Sequence, residues 1–189
     1  CCKYVRFRKS FMALKATVYK ANINIADMDR HYYQSADLVL AQHPSETEQR
    51  MMVRLLAWVR HANERLVFTK GLCADDEPEI WLKNYHDGID LWIDVGVPDE
   101  KRLKKASHQS EQVVLYAYGD RAAKVWWEQN SNKIRQYSNV RVFFISDEQV
   151  SRLTQLVNRT MNLQATLQDG LVWLSDAVHN AEIQPEIWQ

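Results

Sequence analysis

The segment Gly88-Ile89-Asp90-Leu91-Trp92-Ile93-Asp94-Val95-Gly96 sets two acids into an otherwise apolar run. As a strand it sends Asp90, Trp92 and Asp94 to one face and Ile89, Leu91, Ile93 and Val95 to the other. Carboxylates are oxygen donors that can hold a metal ion. Residues four apart on a regular strand lie roughly 13 Å from each other, so one ion reaches both only if a bulge bends the segment. Otherwise each acid takes a different partner. The loop Asp75-Asp76-Glu77 offers partners, and so does Glu48. At about 100° per residue Glu48 falls among Met52, Leu55 and Val59, on the inward stripe of a helix. Glu48 is also the N3 residue of a capping box opened by Ser45, so it either folds back on the cap or meets the acids of the sheet.

The bases Lys101, Arg102, Lys104 and Lys105 share a short helix anchored by Leu103 and Ala106. Lys105 lies nearly opposite Leu103, whereas Lys104 and Arg102 flank the buried side, so Lys104 can reach back over the sheet while its stem packs. The ordinary role of such bases is an exposed, salt-bridged face. Cys73 has His61 and His86 near it in sequence, at spacings that fit no metal motif. No Gly-rich phosphate loop or Gly-x-Ser-x-Gly elbow occurs.

The elements that must position these residues follow from pattern. Residues 13–25 alternate with period two and, across Ala26-Asp27-Met28-Asp29, lead to a second strand ending in Asp37-Leu-Val-Leu-Ala-Gln42, an N-terminal hairpin. A helix runs from Ser45 to about Ala62, followed by strands over Leu66–Lys70, Glu79–Lys83 and Ile89–Val95. Pro98 reads as the first position of the basic helix. Next come a strand at Val113–Tyr118, a helix at Asp120–Gln129, a strand at Val140–Ile145 and a helix capped by Ser146 and Gln149. Met161–Leu167 and Leu171–Leu174 form a closing hairpin, and residues 176–189 read as a loose tail. No Pro/Gly/Ser-rich linker divides residues 12–175. The reading is one mixed α/β domain with the central order helix, three strands, helix, strand.

The 189 residues carry 24 Lys+Arg and 24 Asp+Glu, which argues against a nucleic-acid binder driven by bulk charge. The balance is uneven. Residues 1–11 contain Lys3, Arg6, Arg8 and Lys9 and no acid, so residues 12–189 carry a net charge of −4. Met12 opens the regular pattern, and 1–11 read as a leader or an added extension. No apolar run approaches the ~20 residues of a membrane-spanning helix. Cys73 is the only thiol outside the leader, so a disulfide framework is excluded and a reducing cytoplasm is the expected setting.

Five motifs in order, Met12-Ala-Leu-Lys-Ala-Thr17, His43-Pro-Ser-Glu-Thr47 through Leu55-Leu-Ala-Trp58, Gly71-Leu-Cys-Ala-Asp-Asp-Glu-Pro78, Gly88-Ile-Asp-Leu-Trp-Ile93 and Thr166-Leu-Gln-Asp-Gly170, resemble the bacterial YaeQ family. The resemblance runs from Met12 nearly to the end and leaves residues 1–11 outside it. It implies a restriction-endonuclease-like core related to the PD-(D/E)XK nucleases, with N- and C-terminal β-hairpin additions. In that superfamily an Asp, and a second acid two residues before a Lys, bind a divalent cation, commonly helped by a helix Glu. Carried over, Glu48 matches the helix acid and Asp94 the second acid, Asp90 or Asp76 stands for the first, and Gly96 occupies the lysine position. Lys104 or Lys105 is then the candidate substitute for the lysine, and Lys101 and Arg102 are candidate nucleic-acid contacts. The resemblance implies a Mg²⁺- or Mn²⁺-dependent nucleic-acid phosphodiesterase. The alternative is a non-catalytic interaction or regulatory protein that retains the fold.

Overall fold

A computed structural model describes residues 15–71 and 75–189; the leader residues 1–11, Met12 and Cys73 lie outside the described residues. Eleven strands and four helices are formed among the described residues. β1 (Thr17–Asp27) and β2 (Tyr32–Gln42) pair in register over their full length. Tyr19, Ala21, Ile23 and Ile25 alternate inward along β1. The turn between them is tied by Asp27, whose carboxylate accepts the backbone N–H groups of Asp29 and Arg30 and, at 2.6 Å, Nε of Arg30.

Helix α1 (Glu48–Arg60) follows, then β3 (Leu66–Phe68), β4 (Ile80–Lys83), β5 (Ile89–Val95), α2 (Glu100–Gln109) and β6 (Ser110–Tyr118). This is the expected order of helix, three strands, helix, strand. α3 (Asp120–Ile134), β7 (Val140–Ile145), α4 (Asp147–Thr154), β8 (Thr160–Gln168) and β9 (Leu171–Ser175) complete the expected elements. The segment read as a loose tail instead forms β10 (Asn180–Ile183) and β11 (Glu186–Ile187). Both are short strands whose partners are β9 and β7, so a local pattern carries little trace of them. Trp188 anchors this end by stacking on Phe144 at 4.6 Å and on Trp127 at 5.5 Å.

Two mixed sheets result, with strand orders β10-β9-β8-β1-β2 and β11-β7-β6-β5-β4-β3. The two expected terminal hairpins join in one sheet, because β1 pairs parallel with β8. Between the sheets lie α1 and α4. Met51 through Val59 are all buried, so α1 is covered on every side by one continuous core that reaches Ile23 and Leu163 of one sheet and Ile93 and Tyr116 of the other. α2 and α3 cover the far face of the second sheet with Leu103, Ala106 and Trp126 packed on Trp92, Val113, Leu115 and Val142. The layers therefore run sheet, helices, sheet, helices.

Four local expectations need correction. The N-cap of α1 is Thr47, whose hydroxyl accepts the Arg50 N–H, and not Ser45, which bonds His43 instead. Glu48 is exposed, because the first turn of α1 projects beyond the layer that buries residues 51–59. Pro98 precedes the helix, where Asp99 is the N-cap and accepts the Arg102 N–H at 2.8 Å. Finally, the β4–β5 register shifts between Leu82 and Lys83, pairing Lys83 with Ile89 but Leu82 with Leu91, and Ile89 packs on the Trp92 side.

Candidate functional site

β5, β6 and β7 run parallel, and their carboxyl ends, where open α/β sheets bind ligands, face a cleft of about 550 Å³. Its lining includes Arg50, Glu79, Asp94, Gly96, Arg102 and Gly119. Strand alternation puts Asp94 on the α2 face, 2% exposed, where α2 supplies a counterion. Arg102 donates to it through Nε at 2.8 Å and Nη2 at 3.0 Å, and Trp92 donates through Nε1 at 3.0 Å. The same guanidinium donates to the carbonyls of Asp75 at 3.1 Å and Glu77 at 2.8 Å, pinning the acidic loop to the helix. The Asp94 hydrogen bond raises the Arg102 pKa above its usual value, outweighing burial.

Across the cleft Glu79 stands just before β4, 4% exposed. Its Oε1 accepts Nη2 of Arg50, which also lies 3.5 Å from the Val95 carbonyl. Its Oε2 is buried with no hydrogen-bond partner among the described residues. Behind it, Glu46 takes Arg54 in a bidentate pair at 2.8 and 2.9 Å and Arg50 at 3.1 Å. Glu46, Arg50 and Arg54 are spaced by four, which places them on one face of the turn leading into α1. Burial opposes the Arg50 charge, but the hydrogen bond and charge of Glu79, with Glu46, raise its pKa.

The remaining wall is backbone. Gly96 has φ +103°, and a Cβ there would meet nothing within 4 Å. Gly119 (φ +87°) is the N-cap of α3 and makes no side-chain cap hydrogen bond, and it lines the cleft with Ala122 of the first turn.

Of the residues singled out by sequence, the structure joins Asp94 and Arg102. Asp90 takes the Asn84 amide at 3.0 Å and lies outside the cleft, so the two strand acids have different partners. Asp76 is an exposed loop acid paired with Lys105, whose hydrogen bond lowers its pKa. Lys101, Lys104 and Glu48 are exposed. The expected convergence of Glu48, Asp76, Asp90 and Asp94 does not occur, and no three His, Cys, Asp or Glu side chains among the described residues converge on one point. Sequence reasoning passed over Glu79, although Pro78-Glu79 directly before Ile80-Trp81-Leu82 is an acid at the head of an apolar strand.

The model of the YaeQ protein family matches residues 12–185. The chain belongs to the YaeQ family. Among family members, the chain is 56% identical over 178 residues to the uncharacterized protein YaeQ of Escherichia coli (strain K12), covering 94% of this chain and 98% of that one. It is 57% identical over the same length to the YaeQ of Salmonella typhi, with the same coverage. The crystal structure of YaeQ from Xanthomonas axonopodis pv. citri superposes with a TM-score of 0.89 at 42% identity, covering 92% of this chain and 98% of that one. The YaeQ structure from Pseudomonas syringae gives 0.88 at 35% identity, covering 92% and 96%. Among the described residues no helix is long and apolar enough to cross a membrane.

Proposed function

We propose that this YaeQ-family chain hydrolyses phosphodiester bonds of nucleic acid on a restriction-endonuclease-like core, with a divalent cation held by Glu79 and Asp94. The observation that carries this is the pair of buried carboxylates on one cleft, one of them with an oxygen that has no hydrogen-bond partner among the described residues. A buried oxygen without a donor costs free energy unless something satisfies it, and a hard cation does. Among the described residues Asp94 Oδ1 accepts only Arg102, which leaves it a lone pair. Mg²⁺ is commonly held by one or two carboxylates plus waters and substrate phosphates, so the donor set fits without a third acid.

When bound, such a cation lowers the pKa of water and offsets charge building on the phosphoryl oxygens. The chain's own groups do the rest. Arg102 supplies the fixed positive charge that the missing lysine of Gly96 would have supplied, and it holds Asp94 in one rotamer. The uncapped first turn of α3 offers amides and the positive end of a helix dipole to a phosphate. Arg50 orients Glu79 by holding Oε1, which leaves Oε2 to the ligand.

A second reading has its own observation. Both Asp94 oxygens already carry donors, and Arg102 and Arg50 already offset the acids, as in a binding module without catalysis. The two are separated by titrating Mg²⁺ and Mn²⁺ and following cleavage of single- and double-stranded DNA and RNA, with Glu79→Gln and Asp94→Asn in parallel. Hydrolysis requires cation-dependent cleavage lost in both variants. Binding without cleavage at any cation concentration supports the module.

A further inference from the structure

A second cavity, about 420 Å³, adjoins the first and shares Arg50, Gly71 and Glu79 with it. It lies where the free edge strands of the two sheets, β2 and β3, meet over the first turns of α1. Its walls are of two kinds. Val39, which is 60% exposed, joins Ala41 and Phe68 in an apolar side, and the guanidinium of Arg54 lies 5.6 Å from the Phe68 ring centroid. The charged lining is Arg50, Arg54 and Lys70 with Glu46 and Glu79, so bases outnumber acids in a chain whose body is acidic. The Lys70 ammonium makes no ion pair among the described residues.

We infer that this cavity receives one unpaired nucleotide of the substrate, next to the phosphate that a cation on Glu79 and Asp94 would bind. The inference rests on the phosphodiesterase reading and gives it a substrate class: single-stranded nucleic acid, or an unpaired end or flap. A flat, apolar base finds an aromatic and aliphatic wall, and its phosphate finds Lys70 and Arg50. The volume suits a single nucleotide, whereas a base-paired one brings a partner strand that this space excludes. Continuity through Arg50 and Glu79 lets the strand pass from this cavity into the first cleft.

The experiment measures binding apart from chemistry. A fluorescein-labelled DNA oligonucleotide with phosphorothioate linkages, single-stranded or as its duplex, is titrated with the full chain in Ca²⁺, and anisotropy is read. Single strands are expected to bind roughly tenfold or more tightly than duplex, and Val39→Trp, which fills the cavity from an exposed position, to abolish that preference while leaving the melting temperature unchanged. Lys70→Glu is the second variant and is expected to weaken single-strand binding. Equal affinity for single strands and duplex, no binding to either, or wild-type preference in Val39→Trp overturns the inference. Preferential binding without cleavage of ordinary DNA or RNA in Mg²⁺ sinks the phosphodiesterase reading but not the nucleotide site. Cleavage that is indifferent to strandedness and to Val39→Trp does the reverse.

Discussion

At the scale of single residues the two strand acids separate cleanly, although sequence treats them alike. Asp94 is buried with three donors, while Asp90 is partly exposed with one. Arg102→Ala leaves a buried carboxylate on Trp92 alone and is expected to cost about 2–3 kcal/mol in urea unfolding, whereas Asp90→Asn should cost less than about 0.5 kcal/mol. Alternation made the shared face of Asp90, Trp92 and Asp94 legible, but nothing in the local pattern says that Arg102, not Lys104 or Lys105, reaches Asp94. That depends on how α2 sits on the sheet. Gly96 is a residue-scale departure with a backbone cause, since φ +103° is a conformation that L side chains rarely adopt. Gly96→Lys is therefore expected to cost about 1–2 kcal/mol and to leave any cleavage rate no higher than wild type, measured by melting and by turnover. His61 carries the clearest pH signature. Burial, with the charges of Arg60 and Arg30, lowers its pKa from 6.5 to about 3, and its Nε2 bonds the Tyr116 hydroxyl at 2.7 Å. The unfolded chain then binds a proton that the folded chain refuses between these values. The His61 contribution to stability is complete above about pH 6.5 and is lost at up to about 1.4 kcal/mol per pH unit toward pH 3, and His61→Gln should remove that part of the slope from urea titrations.

At the scale of elements the fold was readable wherever one element buries one face. The β1–β2 and β8–β9 hairpins, β5 and β7 all lie where period two and turn chemistry place them. The misreadings share a cause, which is a contact distant in sequence. β10 and β11 are strands because β9 and β7 offer them edges, and Trp188 holds the end against Phe144. The inward stripe assigned to Glu48 failed because α1 is buried all round from Met51 to Val59, so a wheel cannot single out one face. Capping supplies the test at this scale. Thr47→Ala is expected to lower stability by about 1 kcal/mol and Ser45→Ala by a few tenths at most, compared by chemical denaturation. The reverse order would restore Ser45 as the cap.

At the scale of the molecule, two sheets enclosing α1 bring three chain-distant pieces to one cleft: Arg50 from α1, Glu79 before β4, and Asp94 with Arg102 from β5 and α2. The order of the core elements was legible, but that Glu79 lines the same cleft as Asp94 was not. An acid at a strand boundary looks like any solvated turn residue until the cleft closes around it. Charge follows the same logic. The body is acidic, so on the proposed reading any affinity for nucleic acid comes from local bases and a cation and not from net charge, and it should weaken with salt only to the extent of those few contacts. The most direct measurement of the central claim is cleavage of single-stranded DNA and RNA across a Mg²⁺ and Mn²⁺ titration by wild type, Glu79→Gln and Asp94→Asn, each confirmed as folded by its melting curve. The expected result is cation-dependent cleavage by wild type, reduced at least about a hundredfold in either folded variant. Cleavage that survives both substitutions, or wild type that binds these substrates and never cuts them, would contradict it.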